Sequence, residues 1–311
     1  MAQAPATINL SAHNQRKAVL QALFVTFLWS TSWVLIKIGL ADIPALTFAG
    51  LRYSLAFLML LPVFLHNGGR QVLRDMKPAA WGRLVLLGVV FYSLTQGAQF
   101  VGLAYLPAVT VNLLLSLTTV VVALLSMVLL SEHATGWQWL GIFVAIGGAL
   151  LYFYPIQIPA SQAIGWAAVI TGVLANAGSA VLGRAINRRA DLPPLAVTVI
   201  SMGVGSTILL AAGILAQGLP QLSLLNWLIV LWLAGVNTAF AFTLWNLTQR
   251  TLSAAESSMI NNTMLIQIPL LAVIFLGETL HLQELAGLAL AGLGMLGVQL
   301  GRARPKGRLR R

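Results

Sequence analysis

The chain has 311 residues, 59% of them hydrophobic and 8% charged, with 18 Lys and Arg against 7 Asp and Glu, a net charge of +11 and no cysteine. So few polar side chains cannot cover a water-soluble surface, which places the chain in lipid, and the missing thiols exclude disulfides, thiolate metal sites and cysteine nucleophiles. The basic residues sit at the ends of apolar stretches rather than along one face, so no nucleic-acid partner is expected.

A bilayer core of about 30 Å is crossed by about 20 apolar residues in a helix. Ten such stretches follow one another, at residues 18–38, 45–65, 80–100, 107–130, 137–154, 163–184, 195–216, 224–247, 254–276 and 282–301. Clusters of Gly, Pro and charge bound them, such as HNGGR at 66–70 and NRRADLPP at 187–194. They leave no room for a soluble domain. The first stretch is expected to stay as a span, because residues 1–15 carry no basic start or short apolar core of a cleavable signal.

Lys and Arg set the orientation. Arg16 and Lys17 precede span one; Arg70, Arg74, Lys77 and Arg83 surround the second loop; Arg184, Arg188 and Arg189 flank span six; Arg250 ends span eight; and six more follow span ten. With ten spans all of these share one side, and only Lys37 and Arg52 do not. That side is expected to be the cytoplasm, with both termini inside and the chain in an inner membrane.

The second half of the chain repeats the first. At a shift of 146 residues Leu106, Ala108, Leu124, Leu125, Leu130, Glu132, Gly141 and Gly148 fall on Leu252, Ala254, Leu270, Leu271, Leu276, Glu278, Gly287 and Gly294 without a gap. A weaker match at 147 puts Ser32, Val34 and Leu35 on Ser179, Val181 and Leu182. Five spans per half is an odd number, so the halves must enter the membrane in opposite senses, as inverted repeats.

Both copies resemble the end of the EamA repeat of the drug/metabolite transporter superfamily, with a Pro-bearing helix, a Leu-Gly-Glu corner and a Gly-x6-Gly helix. The first half adds Trp29, Lys37, Pro44 and Arg52, where that family has an aromatic-Gly pair, a basic residue, a Pro corner and an Arg in the second helix. Ser30 departs from the usual Gly, Ala123 stands where the second copy keeps Pro269, and Asn176 occupies the position of Trp29. The resemblance implies an all-α integral membrane protein of ten transmembrane helices in two inverted five-helix repeats. The expected layout is a cytoplasmic segment at 1–17, repeats at 18–154 and 163–301, and a basic tail at 302–311 that contacts anionic lipid.

Polar residues inside spans predict the cavity, because each costs free energy unless it faces protein or water. Trp29, Trp33 and Lys37 share one face of span one, with Ser30 beside them. They suit a stacked substrate with a carboxylate, or equally an interfacial anchor with a snorkelling Lys. Arg52 lies about eight residues into span two, roughly 10 Å deep; it binds a substrate carboxylate or satisfies helix-end carbonyls. Tyr92, Gln96 and Gln99 mark span three, and Asn112, Ser116 and Thr119 span four. Asn176 and Ser179 mark span six, Asn237, Trp245 and Asn246 span eight, and Ser258, Asn261, Asn262 and Gln267 span nine. The cavity set is therefore Trp29, Ser30, Trp33, Lys37, Arg52, Tyr92, Gln96, Gln99, Asn112, Asn176, Ser179, Asn237, Trp245, Asn246, Ser258 and Asn262, with interhelical hydrogen bonding the competing use of many of them. Glu132, Glu278 and Pro269 are assigned to structural corners. Spans five and ten, rich in Gly and Ala, are assigned to scaffolding or a homodimer contact.

No span carries a carboxylate near its middle, which disfavours a proton-coupled carrier of cations. His13, His66, His133 and His281 all lie outside the spans, so no intramembrane nucleophile pair or metal site is expected, and no phosphate loop is present. The reading is an alternating-access secondary transporter without cofactor or enzymatic activity, exporting small metabolites, with aromatic or apolar amino acids as the leading substrates. A lipophilic-cation exporter, a nucleotide-sugar-type carrier and a lipid flippase or assembly subunit are the alternatives.

Overall fold

A computed structural model of the chain describes residues 6–130, 135–189, 191–249, 251–252 and 254–302, with side chains at all of these except 6–13, 126–130, 187–188, 246, 254–255, 258 and 301–302. Glu132 and the basic tail beyond Arg302 lie outside the described residues, as do the side chains of Asn246 and Ser258.

The fold is all helical. Among the described residues, ten helices are long and apolar enough to cross a membrane: Asn14–Gly39, Ala45–Asp75, Pro78–Tyr105, Ala108–Leu125, Gly136–Phe153, Ala160–Ile186, Pro194–Gln217, Leu224–Trp245, Met259–Leu276 and Leu282–Leu300. We number them spans one to ten. The HNGG segment, expected as a loop, is a kink inside span two. Gly68 there has φ 82°, which a glycine adopts without a Cβ penalty.

The two halves repeat in shape as well as in sequence. Spans two and seven each start behind a proline, Pro44 (φ −58°, ψ 139°) and Pro193 (φ −61°, ψ 141°). Proline has no N–H to satisfy and a preset φ, so it opens a helix at little cost. Spans three and eight each contain π-helical turns, Gly88–Thr95 and Gly235–Phe240. In both, a threonine hydroxyl donates to the carbonyl five residues back, Thr95 to Val90 at 2.9 Å and Thr238 to Leu233 at 2.8 Å. Spans four and nine each break in two, at Leu117 between Ala108–Ser116 and Thr118–Leu130, and at Thr263 between Ala254–Asn262 and Met264–Leu276.

Glycine contacts fix how the halves are related. In spans five and ten, a Cβ on Gly148 would meet Ala291 N at 2.3 Å and Gly287 O at 2.7 Å, and one on Gly294 would meet Ala145 N at 2.2 Å and Gly141 O at 2.6 Å. Shifting the first set by 146 residues produces the second, so a twofold operation exchanges the halves. Gly141 lies beside Val298 and Gly287 beside Tyr152, so the two spans run antiparallel. Spans two and seven do the same, with Thr47 beside Gly213, Gly50 beside Leu210 and Phe57 beside Gly203. Equivalent helices side by side and reversed require an axis in the membrane plane, which is the inverted repeat that the odd span count demands. The small-residue faces of spans five and ten are thereby filled within one chain.

The halves also interlock. Span one packs on spans eight and nine of the second half, and span six packs on spans three and four of the first. At the end of the bundle carrying Arg16 and Lys17, Arg83 Nη2 pairs with Asp191 Oδ2 at 3.0 Å. We call this the basic end.

Adjacent glycines of span five give a matched test. Gly148 faces span ten backbone, whereas Gly147 has nothing within 4 Å. Gly148→Val is expected to cost about 3 kcal/mol or more, because backbone cannot yield as a side chain does, while Gly147→Ala stays within about 0.5 kcal/mol. Thermal unfolding in detergent distinguishes the two.

Candidate functional site

Each helix interruption frees backbone polar groups, which hydrocarbon cannot satisfy; such backbone persists only when buried in protein or lining a wet cavity. The interruptions of spans three, four and nine border one central space, while that of span eight packs in protein behind it, through Asn237 on span one and Thr238 on Arg52. This cavity, about 410 Å3, is lined by Trp29, Ser32 and Trp33 of span one, Arg52 and Tyr53 of span two, and Phe91, Thr95, Gln96 and Gln99 of span three. Asn112, Leu115, Ser116, Thr118 and Thr119 of span four, Asn176 of span six, Phe242 of span eight and Asn261, Asn262, Met264 and Leu265 of span nine complete it. Its size suits a small solute.

The expected site residues divide into two groups. Trp29, Trp33, Arg52, Gln96, Gln99, Asn112, Asn176 and Asn262 line this cavity. The others with described side chains lie off it, each for a visible reason. Ser30 is fully buried between helices, donating to Thr26 O and Gln267 Oε1, both at 2.8 Å. Tyr92 packs edge-on against Tyr53, with ring centroids 5.6 Å apart. Ser179 turns back to Asn176 O at 2.8 Å, and Asn237 Nδ2 donates to Leu28 O, Thr31 Oγ1 and Ser32 Oγ of span one. Trp245 supports the wall from behind, with its ring centroid 5.2 Å from that of Trp29.

Lys37 has a different task from the one expected in the cavity. Its Nζ donates to Leu103 O at 2.6 Å and Leu106 O at 2.7 Å, the free carbonyls where span three ends. Two residues later Glu278 accepts from the Ala108 N–H at 2.6 Å and the Val109 N–H at 3.1 Å, the free donors where span four begins. A cation thus closes the carbonyl end of one helix and a carboxylate the amide end of the next, each with the favourable sign for the helix dipole. Glu278 serves the corner of the other half, a role that its own position in sequence did not reveal. Pro269 is buried within the second segment of span nine.

The polar lining residues absent from the expected cavity set are Ser32, Tyr53, Thr95, Ser116, Thr118, Thr119 and Asn261, of which Ser116, Thr119 and Asn261 stand out in the sequence only as polar positions of their spans. Thr95 and Thr118 belong to the interrupted backbone, and Gly88 and Gly235 at the heads of the π-helical turns are the sequence signal for two of the four interruptions. A larger groove, about 890 Å3, lies between spans nine and ten and shares Asn262 and Leu265 with the cavity. Apart from Asn262, Glu278 and Thr279 its lining is apolar, so the capacity to orient a polar solute resides in the smaller space.

At the end away from the basic side, the segment Met264–Leu276 of span nine packs against Ala108–Ser116 of span four and against span one, and Glu278 ties the corner. Toward the basic end the other segments of spans four and nine, Thr118–Leu130 and Ala254–Asn262, show no comparable packing on each other among the described residues.

A model of the EamA-like transporter family matches residues 16–154 and again 163–300. The chain is 28% identical over 294 residues to the uncharacterized transporter YvbV of Bacillus subtilis, covering 88% of each chain. It is 25% identical over 292 residues to an uncharacterized transporter of Archaeoglobus fulgidus, covering 92% of this chain and 98% of that one. A solved crystal structure superposes with a TM-score of 0.65 over 93% of this chain and 99% of its own, at 19% identity, a likeness of fold.

Because the chain has no cysteine, single thiols report the cavity directly. Ser116→Cys and Thr119→Cys are expected to react with a membrane-impermeant thiol reagent in detergent, whereas the near-isosteric Ser30→Cys and Ser179→Cys stay unlabelled until the protein is unfolded. Equal labelling of all four would remove the distinction between lining and buried polar residues.

Proposed function

This chain belongs to the EamA-like transporter family, and on that premise we propose that it is an inner-membrane secondary transporter exporting small metabolites by alternating access. Amino acids with aromatic or apolar side chains are the leading substrates. The observation that carries this reading is the central cavity at the junction of two inverted halves, with half-helices packed together at one end and a lining drawn from both halves. In such an arrangement, rocking one half against the other exposes a fixed site first to one side and then to the other. Trp29, Trp33, Phe91 and Phe242 supply ring surface, and Gln96, Gln99, Asn112 and Asn176 supply uncharged donors and acceptors. The basic end faces the cytoplasm in this reading, with both termini inside.

Among the alternatives, a carrier of lipophilic cations has no carboxylate in the lining, and a nucleotide-sugar carrier has no second cation beside Arg52. A lipid flippase has one observation on its side, the apolar groove between spans nine and ten that meets the cavity at Asn262 and Leu265. Scrambling of a fluorescent phospholipid by reconstituted protein would favour it.

Counterflow of a solute panel in proteoliposomes tests the transport reading, with and without a pH gradient. Trp29→Ala and Trp33→Ala are each expected to weaken apparent affinity about fivefold, for an aromatic contact of about 1 kcal/mol, with normal membrane insertion. Unchanged flux in both would remove that face from the substrate site. For orientation, Gly218→Cys is expected to label from outside intact cells and Arg189→Cys only after permeabilisation; labelling from the same side would break the proposed topology.

A further inference from the structure

Resting on the carrier reading above, we propose that the cavity holds its solute by a single carboxylate, through Arg52, and that a solute ammonium group is dispensable.

Arg52 lines the cavity at 5% exposure. Its Nε donates to Thr238 Oγ1 at 3.1 Å and its guanidinium lies 5.2 Å from the Tyr53 ring, but its Nη1 and Nη2 have no hydrogen-bond acceptor among the described residues. Guanidinium stays protonated in proteins, and a buried charge without an opposite partner is costly. The cavity lining contains no Asp or Glu. Arg83 and Asp191, the ion pair among the described residues, lie elsewhere in the chain. The two free guanidinium nitrogens match a ligand group that only accepts. A carboxylate does so through two oxygens and takes guanidinium in bidentate fashion.

Charge arithmetic narrows the class. Lys37, the other cation away from the basic end, is committed to the Leu103 and Leu106 carbonyls, so the described cavity lining presents one positive charge and suits a monoanion rather than a phosphate dianion. A solute ammonium would meet only neutral oxygens such as those of Ser116 and Thr119. The pseudo-twofold offers no second anion subsite. Counting from Pro44 and Pro193, the counterpart of Arg52 is Ser201, whose hydroxyl bonds Val197 O within span seven. The charge is therefore a specialisation of one half and not part of the shared scaffold.

Three solutes of one aromatic body separate the charges: phenylalanine, 3-phenylpropionate, which lacks its ammonium, and phenethylamine, which lacks its carboxylate. Each is titrated into the purified full chain and offered in counterflow. 3-Phenylpropionate is expected to bind at least as tightly as phenylalanine, and phenethylamine about tenfold or more weakly, the loss of one charge-assisted hydrogen-bonding group. Arg52→Gln is expected to erase the preference and Arg52→Lys to keep part of it, with melting and elution volume reporting that each variant is folded. The proposal is overturned if phenethylamine binds as well as 3-phenylpropionate, if none of the three binds, or if folded Arg52→Gln keeps the preference. Charge-selective binding without counterflow would sink the carrier reading and leave this inference standing; counterflow without charge preference would do the reverse.

Discussion

Hydrocarbon offers no partner to a free N–H or C=O, so a membrane helix can be interrupted only where protein or water takes over the freed groups. Besides the kink of span two, four helices are interrupted among the described residues, and freed backbone groups find specific substitutes. Thr95 and Thr238 bond carbonyls inside the two π-helical turns. Lys37 and Glu278 take the carbonyl and amide ends of the corner between spans three and four. The broken backbone of spans four and nine borders the cavity at Thr118, Thr119, Asn262 and Met264. The wet space at the centre is thus the condition under which these helices exist in this form.

The remainder of the fold holds that centre in place by backbone contact. Spans five and ten touch through Gly141, Gly148, Gly287 and Gly294, where no side chain could intervene. Close approach of this kind gains dispersion over many atoms and loses little side-chain entropy, which is how helices associate when lipid is as apolar as they are. The same contacts are related by the twofold, so one solution stabilises both halves. Divergence reaches what the scaffold surrounds: Trp29 against Asn176, Arg52 against Ser201, and Pro269 against Ala123. Function is grafted on a repeated frame, and it is asymmetric because a solute is.

Much of the frame was legible in the sequence because its causes are local and countable. Span number followed from apolar length, inversion from the odd count per half, and the span five and ten contact from glycine spacing. The site was only half legible. Ser30, Ser179 and Asn237 carry the same polar groups as Ser116 and Asn176, and helical spacing places all of them on inward faces. Whether an inward donor meets a neighbouring helix or the cavity depends on a few ångströms of packing that periodicity does not contain. The breaks at Leu117 and Thr263 were illegible for a related reason, since neither residue is a Pro or Gly and the cause lies in tertiary packing. Lys37 shows the opposite error, in which a charge that looked like a ligand for solute is consumed by carbonyls of the fold.

The corner and the breaks together suggest why a carrier would keep such costly features. A straight helix transmits movement along its whole length, whereas a helix broken at its middle lets its two segments be held by different neighbours. In spans four and nine one pair of segments is packed together, and the opposite segments, toward the basic end, lack that contact among the described residues. In the proposed alternating-access cycle the twofold relates this arrangement to its reverse, with the segments toward the basic end packed and the others apart. Two arrangements of near-equal energy around a fixed, interrupted centre are what alternating exposure requires. The corner tie from Glu278 strengthens the arrangement seen here, at the ends of the helices and away from the groups that line the cavity.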